Sequence, residues 1–572
     1  MPKFCVLRVF IVPLVLGLGC GGETPSGEDS SVSTGTDDDV GDGDGDGDGD
    51  GDGSGDGDGD GEGSGDGDGD GDPLPGDWLI PAANRVGSKL EMYPLYPRPD
   101  DETSADAYHR HAHPELPYRV RVGIQGGEWP FFYELVEGPP GASFVASELN
   151  RTLDEEHGWI IHERTPGYGV LEWPSPEAGE HTVRVRVTDQ AGASTELSWT
   201  LSTDPSAFVF VDAEAGDDDA AGSFDAPLRT FFSGLWRGDD EDDTYAGRIA
   251  VFRAGDYDIY AAEPNTSPIL DGTTKPIALV GMPGEDVTFD LSQGHFRTGN
   301  GAEFDDYLVA GIDFVGSRSD LANNRLFNVI HRSERVTFWE CSFDQSTIGT
   351  VGNDNTACIA FMSGGPYHEN LAVLDSELRA DVASQLVVTF DSRHVLLEGN
   401  RAIDVDLPSS NGAMFLHAKD DTNDVTVRDN LFVGKAATAA IAVSNQITLE
   451  SAANQEVCWN RVVYEGDQNV DAAISINEAS NSPDAANTYM YRNSVTSAHR
   501  GFRFGGYEEP TPTVFEGNAY YGGYEGVFGG NQTQTEIANV ELTADDFDEQ
   551  ASLVGEARDD HAGLAGADIV AR

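Results

Sequence analysis

Alternating apolar and polar positions come back about every thirty residues through the second half of the chain. VTFWECSF (336–343), LAVLDSEL (371–378), VLLEGNRA (395–402), VTVRDNLF (425–432), QEVCWNRV (455–462), TYMYRNSV (488–495) and TVFEGNAY (513–520) are versions of one short strand. Successive side chains of a strand point to opposite faces, and a fixed period of this size means stacked repeats. Counting from YLVAGIDF (307–314), the sixth position reads Ile312, Cys341, Ser376, Asn400, Asn430, Asn460, Asn493 and Asn518, at spacings of 24 to 35 residues. Each spacing is one coil of a parallel β-solenoid with turns of variable length. Asparagine is otherwise poor in strands. Its return at one phase predicts a bend where each amide bonds to the equivalent amide one coil above and below. Past residue 530 the phrase is lost, and 536–572, acidic and rich in Ala and Gly, is expected to form a C-terminal cap and tail.

A second strand precedes each phrase: LFNVIH (326–331), CIAFMS (358–363), LVVTFD (386–391), AMFLHA (413–418), AIAVSN (440–445), AISINE (473–478) and GFRFGG (501–506). With one parity inward, Phe327, Ile359, Val387, Met414, Ile441, Ile474 and Phe502 form a buried column. The turns that follow then align His331, Asp391, His417, Lys419, Asn445, Asn477 and Glu478 on an outer face. A polymeric ligand would match such a long, shallow groove.

Upstream, the runs YRVRVGI (118–124), FFYELVEGPPGASF (131–144), GVLEWPSPEAGEHTVRVRVTD (169–189) and STELSWTLS (194–202) are alternating strands split by Gly/Pro turns. Residues 78–204 thereby resemble an immunoglobulin-like or cadherin-like sandwich. The next segment, FVFVDAEAGDDDAAGSFDAPLRTFFSGL (208–235) followed by GRIAVFRAGDYDI (247–259), resembles the opening of pectate-lyase-like right-handed β-helices. Pro227 with Leu228, Phe231, Phe232 and Leu235 suits a helix laid over the open end of the first coil. The resemblance runs over about 207–530. The expected fold class is all-β: a right-handed parallel β-helix over 205–535 with an N-terminal β-sandwich domain.

Charge narrows the partners. Lys and Arg total 34 against 101 Asp and Glu, a formal net charge of −67, and the lysines are Lys3, Lys89, Lys275, Lys419 and Lys435. Phosphate backbones need clustered cations, so nucleic acid is excluded as a partner. An anionic membrane surface would repel the chain as well. Residues 1–20 read as an export signal: Lys3 and Arg8, an apolar run over 9–18, then Gly19 and Cys20. This resembles a bacterial lipoprotein signal in which Cys20 is lipidated, although Gly17 stands where that family has leucine; ordinary cleavage nearby is the alternative. The expected address is the outer membrane or cell surface, with attachment through lipid alone and the protein a monomer. Residues 21–77 form a linker whose Gly-Asp stretch (37–72) has nothing to bury. It serves as a solvated spacer, calcium condensation being a side effect. Cys341 and Cys358 could meet within one coil, but buried free thiols are the expected state of both and of Cys458.

For chemistry, the resemblance implies more than the residues do. Eliminases of that superfamily abstract a proton beside a uronate carboxylate and neutralise that carboxylate, often with calcium. Lys419 beside His417 is then the candidate base, Asp391, Asp420 and Asp421 the candidate Ca2+ ligands, and Arg428 the group that steadies the substrate's carboxylate. The plainer readings stand beside these: a charge-balanced turn at Lys419, an Asx turn at Asp391, surface or ladder histidines. HRHAH (109–113) is a metal tract or an exposed polar loop. No continuous family catalytic motif is present. Two functions stay open, a surface-tethered lyase acting on an acidic polysaccharide and a non-catalytic surface protein that binds glycan or a partner.

Overall fold

Each coil of the chain supplies one strand to each of three parallel sheets, with twelve, eleven and ten strands among the described residues. The first sheet runs from Phe208–Val211 to Gln534–Ile537, the second from Gly255–Asp258 to Val540–Glu541, and the third from Ile269–Leu270 to Tyr524–Phe528. The protein is thus a right-handed parallel β-helix with β-sheets before it. The structure, a computed structural model, describes residues 90–99, 107–145, 151–154, 159–162, 169–230, 247–259, 269–270, 276–292, 296–298, 304–316, 325–330, 332–345, 357–362, 368–380, 385–407, 414–419, 422–436, 438–445, 454–465, 472–478, 487–497, 499–505, 513–522, 524–528, 534–561 and 565–567. The export signal with Cys20, and the Gly-Asp linker, lie outside them. No helix among the described residues is long and apolar enough to cross a membrane.

The interior is an apolar column fed by one parity of every strand. Phe296 stacks on Phe327 at 5.5 Å and Phe314 on Phe343 at 4.8 Å, with Phe338 and Phe361 edge-on above. In the third sheet Phe327 stands opposite Ile359, then Val387, Leu416, Ile441, Ile474 and Phe502. Leu416 therefore takes the place assigned to Met414, which pairs with Gln385. A two-residue offset preserves the alternation of faces, so the pattern alone does not detect it. Cys341, Cys358 and Cys458 are free and buried, and burial pushes the Cys341 thiol up to about 12.

Between the first and second sheets the chain turns through a left-handed residue in coil after coil: Glu340, Asp375, Gly399, Asp429, Trp459, Arg492, Gly517 and Ala538, at φ from 50° to 72°. For a residue with a Cβ this conformation costs about 1–2 kcal/mol. The asparagine that follows is what holds the turn. Asn430 Oδ1 accepts from both the backbone N–H of Asn400 (3.0 Å) and its Nδ2 (3.0 Å), while Asn400 Nδ2 also donates to Val373 O (2.8 Å). The same triad repeats at Asn430, Asn460 and Asn493. Ser376 starts the run by donating its N–H to Asn400 Oδ1 (3.1 Å). The ladder also goes one rung past the predicted end. Asn518 donates to Asn539 Oδ1 (2.9 Å), in a coil whose left-handed residue is Ala538.

Extended chain covers the first edge, and a C-terminal segment with a short 3-10 helix (Ala544–Asp546) and an α-helix (Gly555–His561) packs near the other end. Leu228 forms a parallel bridge with Val211 and exchanges hydrogen bonds with Phe210 and Asp212, so Pro227 and Leu228 run strand-like along the first edge; Phe231, Phe232 and Leu235 of the expected helix lie outside the described residues. At the other end Phe547, Ala551, Leu553 and Ala565 pack on Ala519, and Ala567 N donates to Ser494 Oγ (2.8 Å). The C-terminal segment thus lies along the outer face of the second sheet.

The N-terminal module consists of a four-stranded sheet (His111–Ala112, Ser194–Thr203, Glu180–Thr188, Phe132–Glu137) and a three-stranded one (Tyr118–Arg121, Val170–Trp173, Ser143–Phe144), with a further pair, Tyr93–Tyr96 and Gly123–Gln125. Val183, Val185, Val187, Leu197 and Trp199 meet Tyr118, Val120 and Trp173 in one core. The histidine tract proves to be neither a metal site nor an exposed loop. His109 is buried edge-on to Tyr96 and Trp199, and His113 packs against Phe208 and Phe210 of the first coil. Burial, helped by Arg110, lowers the His109 pKa to about 3.

Two predictions follow from these contacts. Asn460→Ala removes the acceptor of two Asn430 donors and strands Val427 O, so unfolding should begin on the order of 3 kcal/mol earlier; Asn539→Ala, at the last rung, should cost clearly less. Equal losses in urea titrations would mean that the ladder is not cooperative. For His109, the folded state disfavours the proton that the unfolded chain binds below pH 6.5. Its contribution is complete above that pH and is lost as pH falls towards about 3, at a slope of up to about 1.4 kcal/mol per pH unit. His109→Phe should flatten the thermal stability profile across that window.

Candidate functional site

Whether a face of the β-helix can take a ligand depends first on what already covers it. The outward face of the first sheet is occupied by the N-terminal module: Phe210, Val251, Leu308, Trp339, Leu374, Leu396 and Tyr491 belong to the same apolar core as the module's own strands. Tyr93 stacks on His394 (4.4 Å) and donates to Asn370 Oδ1 (3.1 Å), while Trp129 packs against Trp459. On the opposite border Arg119 grips Glu340 with both terminal nitrogens (2.8 and 3.1 Å).

Beneath the module lies a buried ionic network. Arg121 donates to Asp375 Oδ2 (2.8 Å) and Glu398 Oε1 (2.7 Å), and Arg428 donates to Glu398 Oε2 through Nε (3.1 Å). Arg428 also donates to the carbonyls of Ile124 and Gly126 and lies over the Phe131 ring. Burial works against the charge of Glu398, but Arg428 and Arg121 outweigh it and hold its pKa below the usual range. Asp375, with Arg121 alone, is pushed by burial up to about 7. Gly399 is required beside them, since a Cβ there would run into Asp375 Oδ1.

This settles the position of Arg428. It stands on the first sheet, 1 % exposed, bonded to Glu398 and the module's backbone. His417 and Lys419 are on the third sheet, in Met414–Lys419. The guanidinium named for a substrate carboxylate is a docking group, and the three residues do not converge.

The third sheet does align several of the others. His417 shares a rung with Val388, Ala442, Ser475 and Arg503; Lys419, two residues on, shares a rung with Phe390, Ser444, Asn477 and Gly505. Asn445 pairs with Glu478 one step further, and Asp391 follows Phe390 at φ 44°. Rungs of neighbouring strands are about 4.8 Å apart. The rung of His417 is not the open floor of a groove: Ala360, Val388, Ala442 and Ser475 on it are all buried. The polar line lies at the C-terminal edge of the strands, from Asp391 to Glu478. Ser444 and Arg503 were not among the sequence candidates, though the alternation in AIAVSN and GFRFGG contains them. Asp420, Asp421 and His331 lie outside the described residues, and among those described no group of three or more His, Cys, Asp or Glu could hold a metal ion. Lysine, hydroxyl and amide positions in a row can hydrogen-bond a chain of sugar hydroxyls.

The network makes a sharp prediction. Glu398→Gln leaves Arg428 without a counter-charge and Arg121 with Asp375 alone, and should destabilise the protein by about 3–5 kcal/mol, whereas replacing Arg121, Glu398 and Arg428 together by apolar residues of similar volume, with Asp375→Asn, should cost little. Similar losses for both variants in denaturant titrations would count against a paired-charge origin.

No family model matches the chain. No curated protein matches it either. Among solved structures the chain is similar to the pectate lyase Pel9A, at 13 % identity over 61 % of this chain and 88 % of that one, TM-score 0.36. It is similar to a GH136 lacto-N-biosidase from Eubacterium ramulus, at 9 % identity over 59 % and 67 %, TM-score 0.28. A family 28 exopolygalacturonase from Yersinia enterocolitica is 9 % identical over 66 % and 73 %, TM-score 0.26.

Proposed function

We propose that this protein is an exported surface lipoprotein, attached through Cys20, whose β-helix binds extracellular polysaccharide along the edge of its third sheet without cleaving it. The reading rests on one observation, the register that puts Lys419, Ser444 and Asn477 on a single rung with Asn445 and Glu478 beside it. Such a line follows the solenoid axis, so a polymer can lie along it and gain one contact per coil. The module supports this reading by occupying the first sheet. Binding is favoured over elimination because Arg428 is held by Glu398, away from Lys419.

The test is a polysaccharide panel, with and without calcium, read both by affinity electrophoresis and by the ultraviolet absorbance of unsaturated products. Retention without product is expected, and Lys419→Ala should weaken it roughly tenfold, the value of one charge-assisted hydrogen bond. Unsaturated product that disappears in Lys419→Ala would replace binding by a lyase function.

A further inference from the structure

The chemistry of the ligand follows from where the protein keeps its cations. A polyuronate or sulfated chain carries an anion on nearly every sugar, and holding it needs guanidinium or ammonium groups not already neutralised. The arginines of the β-helix are largely engaged. Arg253 pairs with Glu285 (3.1 Å), Arg335 with Asp306 (2.5 Å) and Arg428 with Glu398. Arg461 and Arg492 are buried.

The polar line offers little to offset this. By register Ser444 and Asn477 share the rung of Lys419, Arg503 on the rung of His417 is the second cation, and Asp391, Asn445 and Glu478 stand one step along, two of them anions. The whole chain carries a formal net charge of −67. Screening acts over about 8 Å at physiological salt, so a polyanion lying against the sheet would still feel the nearest carboxylates.

We infer that the ligand is an uncharged polysaccharide read through its hydroxyl groups, and not a polyuronate or a sulfated glycan. This rests on the glycan-binding reading above and names the class of glycan. Hydroxyl recognition by amides and a serine needs no charge on the sugar, and its strength varies little with salt.

The test uses the full chain in affinity electrophoresis against neutral polymers (a β-glucan, a mannan, a xylan, a galactan) and acidic ones (polygalacturonate, alginate, a sulfated galactan). Each is run at low and high salt, with chelator and with calcium. Retention on at least one neutral polymer is expected, changing less than about twofold with salt, with no retention on acidic polymers in chelator. Asn477→Asp should weaken it about fivefold, as loss of one hydrogen bond predicts, with an unchanged melting temperature; Ser444→Ala serves if that variant melts early. Retention confined to acidic polymers, whether salt-sensitive or calcium-dependent, overturns the neutral-glycan inference and leaves glycan binding intact. No retention on any polymer overturns glycan binding itself.

Discussion

The constraint on which the structure depends is a backbone turn that is unfavourable by itself. At the corner between the first and second sheets the chain must adopt a left-handed conformation, and it does so with Glu340, Asp375, Asp429, Trp459, Arg492 and Ala538 as well as with glycine. The buried amide after it donates to a carbonyl of the coil before and to the next amide in the coil after, while its oxygen accepts from the coil before, as Asn400 does with Val373 O, Asn430 Oδ1 and the N–H of Ser376. No other side chain has both a paired donor and an acceptor on so short a stem. Serine fills the role at Ser376, where it passes a single bond on to Leu374 O.

A second constraint is the cost of placing charge under the module. Arg121, Glu398 and Arg428 are nearly inaccessible, and the energy of removing them from water is balanced only because each finds partners in fixed geometry. Such networks add little net stability. Arg121 ties the module to two successive coils, at Asp375 and Glu398.

The solenoid and its ladder were legible in the sequence because a buried amide at a strained bend cannot drift: Asn400, Asn430, Asn460, Asn493 and Asn518 recur at one phase. Parity was legible too, whereas register was not. Met414 and Leu416 have the same parity, and only the length of the preceding turn chooses between them. Arg428 was misassigned because a strand such as VTVRDN does not say what lies on its outer face. A signal did exist in LAVL (371–374), where both parities are apolar, the mark of a strand covered on two sides. The histidine tract misled for the converse reason, since polar residue types were read as exposed while His109 sits among Tyr96 and Trp199.

The way the first strand is seated also decides how the protein bears load. Tyr93 is anchored at Asn370 and His394, well along the solenoid, while the first coil begins at Phe208. A pull arriving from the N-terminal side therefore enters mid-stack, spread sideways over several turns, and must shear a broad packed surface before any single turn can be unwound. The module works as a splint, and a stack held in this way resists tension by area instead of unzipping one step at a time from its end.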